Sequence, residues 1–276
     1  MARWAVFAGL TALVLVLLLA LARVSQVASH EAAPTNEAPT GDPERAESGH
    51  RSESAPHQEA ESRPDAEQRS EAEHSQREPQ EPTSLSTGLL LANVALSQGL
   101  FLVILIGSAW YARIPLGALG AAPATNGLRE LAVGVALGVG LYLANEGGSR
   151  AAKAVGIEVP EQLRESLAPD STGGWIVLLG VVLPTIAVFE EFLFRAALVG
   201  AFSTGFSLSP WLLALLSSLA FALGHGAQGV LGMVVTGSLG FVLAGAFVVT
   251  GSLLVVVVAH YLINALEFAV NESSLG

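Results

Sequence analysis

Glu190, Glu191 and Arg195 stand inside an apolar run from Trp175 to Phe202 that is long enough to cross a bilayer. At the middle of a membrane helix each such charge costs about 2.5–3.5 kcal/mol on insertion scales, so three persist only where they face protein. On a helix turning about 100° per residue, Glu191 and Arg195 share a face and can pair. Glu190 points away from that pair. A carboxylate in a water-poor cavity with no cation of its own suits general-base work. A purely structural ion pair accounts for Glu191 and Arg195 but leaves Glu190 without a role.

Two later apolar segments carry His225 and the pair His260/Asn264. Taken alone, a histidine between Gly224 and Gly226 at the end of a span reads as a cap. His260 and Asn264, four apart on one face, read as hydrogen-bonding glue between helices. Their count changes this. Of six histidines, His30, His50, His57 and His74 precede the membrane body, and the other two fall 35 and 70 residues after Glu190 on separate spans. Together the three segments supply a base, two imidazoles and a carboxamide.

The elements that must position them follow from hydropathy. The chain of 276 residues is 51% hydrophobic with a mean hydropathy of +0.55, and most of its long apolar runs are apolar on every side, as in a polytopic membrane protein. Trp4–Ala22 reads as an uncleaved anchor, longer than a signal-peptide core, although Val27-Ala28-Ser29 offers small residues for cleavage. The reading is thus residues 1–29 as anchor or signal-like segment, 30–84 as acidic linker and 85–276 as membrane domain. Residues 30–82 hold 14 acids against 5 arginines and no large apolar side chain, a composition expected to stay disordered. That leaves only −2 of the net −11 to the rest, and no nucleic-acid partner is expected. No cysteine is present, which excludes disulfides and thiolate metal sites.

Further spans are expected at Leu85–Tyr111, Leu128–Asn145, Trp175–Phe202, Pro210–Leu223, Val230–Thr250 and Ser252–Val270, with Glu146–Asp170 as a surface helix between spans. The fold class is therefore all-α, a polytopic helical bundle of about seven transmembrane helices including the anchor. Gly134, Gly138 and Gly140 favour close helix packing. Pro184, six residues before Glu190, frees the Gly180 carbonyl and predicts a local kink.

The order Glu190-Glu191…Arg195, Phe221…His225, His260…Asn264 resembles the CPBP family of membrane proteins, which holds the type II CAAX prenyl endopeptidases and bacterial immunity-type relatives. Its signatures EExxxR, FxxxH and HxxxN/D are all present, over roughly Leu85–Val270. Ala196 stands where a glycine commonly follows the arginine. The resemblance implies an intramembrane endopeptidase of the cell membrane, with Glu190 and His225 activating water, His260 and Asn264 stabilising the oxyanion, and Glu191 and Arg195 holding the motif helix. Its partners would be membrane lipid and a membrane-associated protein or peptide, prenylated in relatives. A divalent metal such as zinc on Glu190, His225 and His260 is the alternative cofactor reading, although the HExxH zinc helix is absent. The rival functions are a non-catalytic scaffold or immunity protein and a proton-coupled transporter, although paired halves are not seen.

Overall fold

A computed structural model describes residues 1–31, 87–122, 127–156 and 167–271. Seven principal helices follow in order. They are α1 (Trp4–Glu31), α2 (Thr87–Tyr111), α3 (Gly127–Ala154), α4 (Thr172–Phe206), α5 (Pro210–Gly224), α6 (Gly229–Thr250) and α7 (Leu253–Asn271), with no strand among the described residues. Six of them are long and apolar enough to cross a membrane, and α5 is shorter. The chain is thus a multi-pass, all-helical membrane protein. Residues 32–84 of the expected linker, His50, His57 and His74 among them, lie outside the described residues.

Helix starts follow local chemistry. Ser171 caps α4, its hydroxyl accepting from the Gly174 N–H at 3.1 Å, and Ser209 caps α5 ahead of Pro210 in the first turn. Only Gly251, at φ 63°, and Ser252 separate α6 from α7. One expectation is corrected. Glu146 begins no separate surface helix, because α3 continues to Ala154. The Glu146–Arg150 pair, 2.8 Å at i,i+4, favours continuation, and the chain turns only near Gly156, at φ 79°. Residues 157–166 of that expected segment are outside the described set.

α4 is the central helix. Half of its apolar window is buried, against 11–33% in the other five spans. It is also irregular, with π-helical turns over Leu178–Val182 and Phe192–Ala201. The first lies just ahead of Pro184, as the missing N–H predicts. Backbone carbonyls in and beside these turns find side-chain donors. The Tyr261 hydroxyl donates to the Leu179 carbonyl at 3.2 Å, Thr185 to Val181 at 2.7 Å, and Ser217 of α5 to Phe194 at 2.6 Å.

α3 and α7 run parallel and touch closely. A Cβ on Gly134 would lie 2.8 Å from the Val255 carbonyl oxygen, and one on Gly138 2.8 Å from that of Ala259. Polar contacts fasten both ends of this crossing: Ser252 donates to Glu130 at 2.7 Å, and Asn145 donates to Glu267. His260 follows Ala259 directly, so the crossing sets where its side chain begins.

Candidate active site

Glu190 and Glu191 end the regular helical turn Leu183–Glu191, and Arg195 sits in the π-helical stretch that follows. The wider turn keeps residues four apart nearly in line, and Arg195 Nη1 donates to Glu191 Oε1 at 2.9 Å. Both side chains are completely buried. Arg195 Nη2 donates to the Gly240 carbonyl of α6 at 2.9 Å, and its guanidinium lies 4.8 Å from the Phe221 ring centre. Only glycine permits this approach: a Cβ at 240 would stand 2.9 Å from the Phe221 ring and 3.3 Å from Arg195 Nη2.

The same Glu191 oxygen takes a second donor. His260 Nδ1–H donates to Glu191 Oε1 at 2.6 Å, so the carboxylate fixes the orientation of the imidazole. His260 Nε2 then faces Glu190 Oε2 at 3.6 Å. A water at ordinary hydrogen-bond length, about 2.8 Å, could touch both atoms from the apex between them. Two carboxylates, one guanidinium and one imidazole thus meet in a buried cluster drawn from α4 and α7.

His225 lies at the C-cap of α5. Its Nδ1–H donates to the Phe221 carbonyl at 2.8 Å, which in the neutral ring leaves the lone pair on Nε2. The Phe221 ring stands between the two histidines, 4.5 Å from His225 and 6.2 Å from His260 by ring centres. Phe194 meets Phe221 edge-on at 5.0 Å. Sequence reading set His225 beside Glu190; among the described residues those two form no hydrogen bond or ion pair, and His260 is the imidazole at Glu190. Asn264, half-buried one turn beyond His260, has a side-chain amide with no hydrogen-bond partner among the described residues.

Glu190, His225 and His260, the residues named for a zinc ion, are not gathered as a metal-holding group: among the described residues no three His, Cys, Asp or Glu are placed to hold one. Residues the sequence did not single out also shape the site: Gly240, Ser217, Phe194 and Tyr261. A glycine or a lone polar side chain within an apolar run was the available signal for three of them; Phe194 was quoted only as flanking text.

Residues 172–266 match a family model described as type II CAAX prenyl endopeptidase Rce1-like. The matched stretch opens with α4, closes within α7 and contains all three motifs, while α1, α2 and α3 lie outside it. No curated protein and no solved structure gives a match.

Proposed function

We propose, from the match of residues 172–266 to the Rce1-like type II CAAX prenyl endopeptidase model together with the three motifs, that the chain is a CPBP-family intramembrane endopeptidase of the cell membrane. The observation that carries this reading is the 3.6 Å approach of His260 Nε2 to Glu190 Oε2, with His260 held from behind by Glu191 and Glu191 by Arg195. Glu190 accepts a proton from water, and the water oxygen bonds to the peptide carbonyl carbon. The oxyanion so formed is stabilised by the Asn264 amide and by the Nε2–H of a His260 protonated on both nitrogens, donors of a kind often worth about 3–4 kcal/mol each. The C–N bond then breaks, and the leaving amine takes the proton held at Glu190, with His225 Nε2 assisting the transfer. Glu191 and Arg195 touch no reacting atom; they hold the imidazole.

The substrate is a membrane-associated protein or peptide, with a prenylated C-terminal segment the first class to try. The reading is metal-independent, supported by the lack of an HExxH helix and, among the described residues, of any group of three His, Cys, Asp or Glu placed to hold a metal. The test compares membrane proteomes with and without the chain, then repeats cleavage of the accumulated species in proteoliposomes. Glu190→Gln should lower cleavage at least about 100-fold with unchanged expression and unfolding temperature. Parental cleavage by that variant would refute the peptidase mechanism. Phenanthroline should leave cleavage intact; its loss would overturn the metal-independent chemistry alone.

A further inference from the structure

α1 lies outside the matched stretch, yet its buried stripe, Phe7, Thr11 and Val14, occupies one helical face. Phe7 and Val14 belong to the same apolar cluster as Phe189, Phe192, Phe194 and Phe221. Those rings adjoin Glu190, Glu191, Arg195 and both imidazoles. At one end of α1 the Arg3 N–H donates to the Ala112 carbonyl at 2.8 Å, and the Arg3 guanidinium lies 5.2 Å from the Tyr111 ring centre. Trp4 covers Gly205 so closely that a Cβ there would come within 2.6 Å of the indole.

Farther along, Leu19 reaches Gly224, the residue before His225, where a Cβ would meet it at 3.9 Å. α1 also packs against the turn Gly226–Gln228 that follows His225. That turn has few other fastenings. His225 bonds back to its own helix at Phe221, and Gln228 accepts from Thr236 of α6 at 2.8 Å. Among the described residues, α1 supports the turn from outside the α5–α6 pair.

We infer that α1 is a positioning element for His225: a seated membrane helix that fixes the Phe221–His225 turn by packing and keeps its seat without the covalent connection to α2. The inference rests on the role proposed for His225, but the seat can be tested apart from activity. The chain has no cysteine, so Leu19→Cys with Gly224→Cys makes an unambiguous cross-linking pair. Full-length protein in native membranes, cut at a protease site inserted within residues 32–86, should still cross-link into one band. Failure to cross-link after cutting overturns the seat.

For positioning, the cut protein without those cysteines should cleave within about twofold of the uncut protein, because the packed face is retained. Phe7→Ala should lower kcat about 10–100-fold with KM within about twofold, as a cavity in the apolar cluster that contains Phe221 loosens the seat of α1 and lets the turn shift. Phe7→Leu, which refills most of the volume, should restore the rate to within about threefold and serves as the folded variant if alanine fails to express. An unchanged kcat in Phe7→Ala, or a loss confined to KM, overturns the positioning role. A chain that cleaves nothing in any form removes the peptidase reading and the role of His225 together, while the cross-link still decides whether α1 is seated.

Discussion

Replacing Glu191 by leucine and Arg195 by methionine, singly and together, separates what this pair does for stability from what it does for chemistry. At 2.9 Å and an effective dielectric of about 20, the two charges attract by roughly 6 kcal/mol. Desolvation costs several kcal/mol per ion, so the intact pair is near break-even with two apolar side chains of similar size. Either single substitution strands one buried charge. Glu191→Leu leaves Arg195 with only the Gly240 carbonyl and two phenyl rings, and should cost about 3–5 kcal/mol, as should Arg195→Met. The double variant should lie only about 1–3 kcal/mol below the parent, the remainder being the His260 Nδ1–H left without its acceptor. Unfolding in detergent micelles, followed by the fluorescence of the four tryptophans, measures all four corners of the cycle. Cleavage should stay about 10–100-fold down in the double variant, because His260 has lost the carboxylate that orients it. Additive destabilisation, or activity that returns along with stability, would refute the reasoning.

Gly138→Leu should cost about 1–3 kcal/mol and lower kcat, since its side chain must displace Ala259 and carry His260 from Glu191. Gly140→Leu, with nothing within 4 Å of its Cβ, is the matched control and should change neither unfolding nor cleavage. Tyr261→Phe should cost about 1 kcal/mol by unpairing the Leu179 carbonyl, read as a lower unfolding temperature, while cleavage below that temperature stays parental.

Much of the bundle was legible because lipid imposes it. Runs such as Pro210–Leu223 and Val230–Thr250 match α5 and α6 within a residue, since length and hydropathy set a span almost alone. The pairing of Glu191 with Arg195 was legible for the same reason, as two buried charges four residues apart have little else to do. The contact of Glu191 with His260 was not. It joins residues 69 apart through the crossing of α4 and α7, which hydropathy does not encode. Nor does composition show that α1 is packed as core, because a helix apolar on every side gives no sign of which face meets protein. The extension of α3 past Asn145 was missed for a local reason: polar residues end a hydropathy run without ending a helix.

The parallel run of α3 beside α7 bears on how the chain is made. Glu130 and Ser252, like Asn145 and Glu267, are separated by 122 residues. At about 5–20 residues per second, the ribosome delivers the second member of each couple roughly 6–25 s after the first. Through that interval α3 waits in the bilayer with an acid and an amide whose later mates are still unmade. α7, made after α3 and α4, closes both fastenings and brings His260 to Glu191, so a nascent chain released before it has neither.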